Sequence, residues 1–204
     1  LHRQLQVLTS GSEELGLVYC WYEVHNGTSS VRTRRPRLRG RVLDQVILRQ
    51  PIGNGSTLIV PRRVVQHIGG FDEELRRGID GDYIRRVARH YSLDYVPEVL
   101  VRYHVEEDGA ARITSDTPES IEAALLAQKK KLRKFRQELS EKASLHSSLL
   151  ALIGEHYARL GKRKEARISF REALSLCGFN VFVYYQALRS IVLAWKHHSG
   201  RRRD

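Results

Sequence analysis

Five carboxylates and six glycines lie within thirty residues of this chain. From Gly53 to Asp82 it reads Gly-Asn-Gly-Ser-Thr-Leu-Ile-Val-Pro-Arg-Arg-Val-Val-Gln-His-Ile-Gly-Gly-Phe-Asp-Glu-Glu-Leu-Arg-Arg-Gly-Ile-Asp-Gly-Asp. The order implies a strand, a short helix, a tight Gly69-Gly70 turn, an acidic loop and then a helix that starts at Asp80 and Asp82. Carboxylates at a helix start are favoured by the free backbone N–H groups and by the helix dipole, which also keep them ionised. On residue type alone Asp80 reads as an N-cap. Asp82 either caps the same helix or orients a bound group. Asp72 and Glu73 follow a Gly-Gly turn, where acids commonly bond local backbone N–H groups. The triplet Asp80-Gly-Asp82 also has the letters of a metal motif, but two carboxylates without a further ligand define no ion site. His104 is a single imidazole near the end of a strand, and one imidazole alone defines no site either.

The elements that would position these groups alternate. We expect a helix over Leu1 to Leu8, a strand over Leu17 to Tyr22, a turn at Asn26-Gly27 and an Arg-rich stretch from Arg32 to Arg41. A short helix over Val42 to Arg49 precedes the Gly53–Ser56 turn. A strand over Thr57 to Val60 is followed by a helix opened by Pro61, a favoured first helical position. The helix from Asp80 to Tyr91 puts Ile84, Val87, Ala88 and Tyr91 on one face, and two strands follow, Leu93 to Val96 and Val99 to Val105. Alternating helices and strands indicate an α/β layer.

Composition changes at Thr114-Ser-Asp-Thr-Pro-Glu119, where we place the boundary between a domain of residues 1–115 and one of residues 116–204. Residues 1–115 hold 17 Arg, no Lys and 14 acids, whereas the remainder holds 18 basic and 9 acidic residues, so most of the net +12 belongs to the second part. The second part is all helical in pattern. A helix over Pro118 to about Ala143 carries Ile121, Leu125, Leu132, Phe135 and Leu139 beside a basic cluster from Lys129 to Arg136. Ser147 to Asn180 places Ile153, Gly154, Tyr157, Gly161, Ala166, Phe170 and Ala173 at the spacing of a tetratricopeptide helix pair, with Leu150 where Trp is usual and Gly178 where Pro is common. One such pair cannot bury its own face, so Val181 to Lys196 is expected either to pack on it or to rest on an anionic membrane surface.

The segment from Gly53 to Asp82 resembles glycosyltransferase family 2, enzymes of the GT-A fold. The resemblance is carried by Gly55-Ser56, Arg62-Arg63, Gly69-Gly-Phe-Asp-Glu73, Ile79-Asp80 and Asp82-Tyr83-Ile-Arg-Arg86, with Leu93-Asp-Tyr-Val-Pro97 and Val99-Leu-Val-Arg-Tyr-His104 as the closing strands. Leu1–Leu8 and Leu17–Cys20 resemble the helix and strand that follow the family's metal-binding motif. The fold implied is α/β, the C-terminal half of a GT-A domain with a Rossmann-like mixed sheet, followed by an all-α extension. The activity implied is inverting sugar transfer in polysaccharide biosynthesis, from a nucleotide-sugar donor to a glycan or lipid-linked glycan. Asp80 would be the general base, and Gly55, Ser56, Phe71, Asp72, Asp82 and Arg85 would form the acceptor side. Where the family usually has Glu before the base, this chain has Ile79. The divalent cation implied, Mg or Mn, belongs to an Asp-x-Asp motif of the donor half, with His104 as a candidate extra ligand.

Other readings remain beside this one. A first residue that is Leu, in a chain with no Met, indicates a fragment or a processed chain. Cys20 and Cys177 have neither a disulfide-framework nor a metal spacing, which favours a reducing, cytoplasmic setting, with a peripheral place at the membrane face as a variant. No apolar run reaches the length of a membrane span. The helical extension alone suggests a scaffold for a protein partner. Nucleic acid is disfavoured: the basic clusters Lys129–Arg136 and Arg201–Arg203 come without a zinc-finger, RNP-type or helix-turn-helix signature. The six Arg among Val31–Arg41 are either a solvated face or a basic loop that steers a phosphate-bearing donor or an anionic acceptor.

Overall fold

A computed structural model describes residues 1–26, 29–105 and 117–200. The chain divides into two compact units, one comprising Leu1–Glu74 with Ile79–Arg112, the other Leu75–Gly78 with Ile113–Asp204.

The first unit is built around one long strand. Strand β1 (Leu15–Asn26) pairs along its length with β4 (Ser92–Val105) in parallel; β2 (Ser29–Arg34) and β3 (Leu58–Ile59) pair with it antiparallel, at Tyr22–Asn26 and Val18–Tyr19 respectively. Since β4 occupies one edge throughout, β2 and β3 share the other, giving a four-stranded mixed sheet. Period-two alternation sends Leu17 and Tyr19 to one face and Val18 and Cys20 to the opposite one. Both faces are covered, which explains why β1 reads as a continuous apolar run rather than an alternating one. On the first face Leu17, Tyr19 and Leu93 pack with residues of α2 (Leu43–Leu48), α3 (Arg62–Ile68) and α4 (Ile79–His90), including Val46, Val64, Ile84 and Val87. On the second, Val18, Cys20 and Val96 are covered by Val7 and Leu8 of α1 (His2–Ser10).

Three irregularities depart from simple periodicity. At Gly16 the β1–β4 register shifts, and a Cβ there would lie 2.3 Å from the Cβ of Tyr91, so only glycine admits that side chain. The two strands expected over residues 93–105 are one, because β1 tolerates the extra Pro97 and Glu98: Cys20 pairs with Val96 and the next residue, Trp21, with Val99. Of the expected Asn26-Gly27 turn, Gly27 lies outside the described residues, as do the start of the Thr114–Glu119 boundary and Arg201–Arg203.

The second unit is helical among its described residues. Helix α5 (Pro118–Lys134) starts with Thr117, whose Oγ1 accepts from the Ser120 amide at 3.3 Å, followed by Pro118 and an acidic first turn. The single helix expected to about Ala143 is interrupted at Phe135, where the backbone leaves helical geometry (φ −110°, ψ 28°), and resumes as α6 (Arg136–Ser140). Phe135 is wholly buried, so core insertion outweighs helix continuity at that point. Helices α7 (Ala143–Arg159) and α8 (Arg163–Leu176) form a hairpin turned at Gly161, φ +73°. Gly154 admits the ring of Phe170, and Ser147 Oγ donates to the Ala173 carbonyl at 2.8 Å. Helix α9 (Val181–Gly200) adds Val183 to the hairpin core of Leu150, Ala151 and Ala173. Its start is tied to α7 by Asn180, whose Nδ2 donates to Ser144 O at 3.0 Å and Ser148 Oγ at 2.9 Å. The Leu75–Gly78 segment belongs here through Arg77, which donates to the carbonyl and hydroxyl of Ser120 at 3.2 and 2.8 Å. No described helix is long and apolar enough to cross a membrane.

Candidate functional site

The turn before β3 is fixed from three sides. Gln4 Nε2 donates to Thr57 O at 2.9 Å, Thr57 Oγ1 donates to Asn54 O at 2.8 Å, and Gln50 Nε2 donates to Gly53 O. Gly53 admits this packing, since a Cβ would fall 2.1 Å from Thr57 Oγ1. With the turn so held, the amide of Gly55 points at the start of α4 and donates to Asp80 Oδ2 at 3.1 Å. A Cβ on Gly55 would crowd Asp80 Oδ1 to 3.2 Å. Asp80 is half-buried beside exposed Gly55 and Ser56, and its Oδ1 has no hydrogen-bond partner among the described residues. It therefore does not spend both oxygens as a cap. One is anchored and the other is left able to accept a proton.

The remaining acidic residues are placed differently. Asp82 is buried and its Oδ2 accepts from Arg86 Nε at 2.9 Å, so it faces into α4's own packing rather than lying beside Asp80 as a second ligand. Arg86 also donates to Ile68 O at 2.8 Å and Gly70 O at 2.6 Å, clamping the Gly69-Gly70 turn to α4. Asp72 Oδ1 accepts the Glu74 amide at 3.1 Å, a local turn of the kind its position implies. Phe71 is 54% exposed, with its ring 4.8 Å from that of Tyr83 and the Arg86 guanidinium 5.2 Å from the Tyr83 ring.

Arg85, expected on the acceptor side, is 7% exposed and donates through Nε to the carbonyls of Val46 and Ile47 at 2.8 and 3.1 Å. Those carbonyls end α2, so the guanidinium satisfies groups that have no intrahelical partner. Burial lowers its pKa to about 10, an effect that the nearby Asp82 charge opposes. Gly81 gives this side chain its path, as a Cβ there would lie 2.9 Å from Arg85 Nη1.

His104 sits opposite His25 in the β1–β4 ladder, with ring centroids 5.5 Å apart, and His25 Nε2 lies 3.1 Å from Glu23 Oε2. Among the described residues no three His, Cys, Asp or Glu side chains come together in a group that could hold a metal ion. Among the described residues Asp80 and Asp82 are not joined by a third such side chain.

Two features escaped the sequence reading. Arg86 was visible only as part of a motif, although its i,i+4 spacing from Asp82 is a signal for an ion pair on a helix. The aromatic group formed by Tyr19, Trp21 and Tyr95 had no sequence signal, because the strands that align it are seventy residues apart. Rings of Tyr19 and Tyr95 stack at 5.6 Å and those of Trp21 and Tyr95 at 6.4 Å. Burial pushes the Tyr19 phenol pKa up, so it stays protonated and donates to Leu38 O at 2.9 Å.

Compared with protein-family models, with curated proteins and with solved structures, the chain finds no match in any of the three. The mixed α/β unit and the helical unit thus stand on their own geometry.

Proposed function

We propose that the first unit is the acceptor-side part of an inverting glycosyltransferase of family 2, of GT-A fold, and that Asp80 is its general base. The observation that carries this reading is the half-anchored carboxylate: Gly55 N–H fixes one oxygen at 3.1 Å while the other has no donor among the described residues. A base must be positioned and must keep a lone pair for its substrate. In the reaction, an acceptor hydroxyl oxygen forms a bond to the anomeric carbon and gives its proton to Asp80. The bond from that carbon to the diphosphate breaks on the opposite side, and the nucleoside diphosphate leaves with the electron pair. The cation that the resemblance implies would neutralise that leaving group when bound. The roles of the neighbours follow from their contacts: Gly55 holds the base, Asp82 and Arg86 hold the Gly69-Gly70 turn that leads to Phe71, and Arg85 fixes α4 to α2. Asp72 shapes the loop, and Ser56 lies exposed beside the base. The setting that fits nucleotide-sugar donors and glycan or lipid-linked acceptors is the cytoplasm or the cytoplasmic face of a membrane.

Release of nucleoside diphosphate from a panel of nucleotide-sugars, with glycan acceptors and the protein from its native source, tests the proposal. Asp80→Asn should lower turnover by about 10²- to 10⁴-fold, the range for loss of a general base, and leave donor binding intact. Turnover retained by the variant would remove Asp80 from the mechanism.

One observation favours a second reading, a scaffold for a protein partner. Around the start of α9 Phe179, Val181, Tyr184, Tyr185 and Leu188 are all exposed, an apolar stripe at helical spacing in a unit whose small-residue contacts fit a tetratricopeptide-like pair. Partner capture through this stripe would be indifferent to Asp80→Asn and lost on Tyr185→Asp.

A further inference from the structure

The reaction leaves the Arg-rich segment unused, yet the fold spends several specific contacts on it. After the pairing of Arg34 with Tyr22 the chain leaves β2, crosses the sheet and reaches the opposite edge, where Gly40 exchanges hydrogen bonds with Leu93 at 2.8 and 3.0 Å. The crossing is pinned at alternate residues: Trp21 Nε1 donates to Pro36 O at 2.9 Å and Tyr19 Oη donates to Leu38 O at 2.9 Å. Between the pins stand Arg35, Arg37 and Arg39, all exposed. The residue before a proline is held extended, and an extended backbone spaces alternate residues by roughly 6.5 Å.

The guanidiniums are themselves held. Arg35 and Arg37 lie 5.5 and 6.0 Å from the Trp21 ring centroid, and Arg39 lies 5.1 Å from that of Tyr95. Arg39 is also bonded to Asp94 Oδ1 at 2.5 Å. Arg35 and Arg37 have no carboxylate partner among the described residues. This is a row of cations fixed on an aromatic floor, on the same face of the sheet as α4, since Tyr19, Leu38 and Tyr95 all join the core that contains Ile84 and Val87. Arg32 and Arg34 do not belong to it: they pair with Val24 and Tyr22, whose side chains alternate away from that of Trp21.

We propose that Arg35, Arg37 and Arg39 form a rail for an anionic glycan, a sugar chain bearing carboxylates or phosphates, and that such a chain is the acceptor. The choice of a sugar chain rests on the glycosyltransferase reading; the choice of an anionic one rests on the rail. Fixed guanidinium forks suit planar oxyanions. Single-stranded nucleic acid would need free ring faces for its bases, and here guanidiniums and neighbouring rings already take the faces of Trp21. A membrane surface would need apolar groups beside the charges, and Leu38, between Arg37 and Arg39, packs inward on the core.

The test is binding of polygalacturonate oligomers to the full chain, measured against a salt series, with a neutral glucan and single-stranded DNA as comparators. The wild-type protein should bind polygalacturonate, more weakly as salt rises, and ignore the glucan. Arg35→Ala with Arg37→Ala should weaken binding by about tenfold or more, in keeping with the loss of two charge-assisted contacts. Arg32→Ala with Arg34→Ala removes the same charge from the other face and should change binding by less than about twofold on screening grounds. Equal loss in both double variants, no loss in the first, or DNA bound as tightly as polygalacturonate would overturn the rail. Donor turnover and polygalacturonate binding are read separately, which distinguishes the two proposals. Binding of the expected pattern in a protein that turns over no donor sinks the transferase and keeps the rail; transfer indifferent to Arg35→Ala with Arg37→Ala sinks the rail alone.

Discussion

Helices α4 and α7 both bury charge, by opposite means. In α4 the buried ions are met by backbone: Arg85 by two carbonyls of α2, and Arg86, the partner of Asp82, by the carbonyls of Ile68 and Gly70. In α7 they are met mainly by other ions at longer range. Glu155, 4% exposed, has Arg189 at 3.5 Å and Arg159 at 4.0 Å, and its Oε1 makes no hydrogen bond among the described residues. Gln186 on α9 likewise buries an oxygen without a donor among the described residues. A charge bonded to backbone is fixed in direction and gives a neighbouring group a defined place. A charge met by arginines at longer range is compensated without being fixed in direction. The first arrangement suits a site, the second a packing interface.

Neutralising one buried ion of each helix should break this contrast most visibly. Arg85→Met keeps volume but leaves the Val46 and Ile47 carbonyls buried without a donor, and we expect a loss of about 3 kcal/mol in the first unit. Glu155→Gln removes a charge that makes no good hydrogen bond through Oε1, and its partners Arg159 and Arg189 retain solvent, so the second unit should change by about 1 kcal/mol or less. Denaturant titrations followed by segment-resolved amide exchange report the two units separately. Equal losses would show that backbone and ionic compensation are equivalent here.

The same contrast bears on what the sequence reveals. Amphipathic spacing was enough for α1 to α4 and for the α7–α8 hairpin, because a period of apolar residues is itself the cause of burial. It was blind to the break at Phe135, since Leu132, Phe135 and Leu139 continue the helical period while the backbone does not. It split β4 at Pro97, because the slack that accommodates proline lies in the partner strand. Within the site, residue types at a helix start gave Asp80 only as an N-cap, and the amide that anchors it belongs to a turn twenty-five residues upstream. Arg85 and Asp82 were legible as polar and misleading as surface, since nothing local states that α2's last carbonyls need a donor. The arginine rail was legible only as charge. Its floor of Trp21 and Tyr95 exists through strand pairing.

A smaller effect separates the units by pH. Burial lowers the pKa of His156 from about 6.5, with Arg77 and Lys131 acting in the same direction and the bond to Leu152 O and the Glu155 charge opposing them. The folded state then binds fewer protons than the unfolded one in the window below about 6.5. Stability of the second unit is full above that value and falls as pH drops through the window toward the folded pKa. Exchange protection in α7 and α8 should decline from pH 7 to 5.5, and His156→Gln should flatten the decline. Protection independent of pH would mean that Glu155 offsets the burial.

The smallest effect is a matter of sign. Gly154 lies inside α7, where alanine gains up to about 1 kcal/mol of helix propensity. An added Cβ would meet three atoms of the Phe170 ring at 3.1 to 3.2 Å, so the ring must retreat by a few tenths of an ångström. Phe170 is half-buried at the edge of the hairpin core, which leaves it room to tilt. Gly154→Ala should therefore fall within about 0.5 kcal/mol of wild type, with propensity and crowding cancelling. Gly154→Leu, which must displace the ring altogether, should cost about 2 to 3 kcal/mol. If alanine costs as much as leucine, the α7–α8 contact is rigid, and the glycine is required by close approach of the helices rather than by the ring alone.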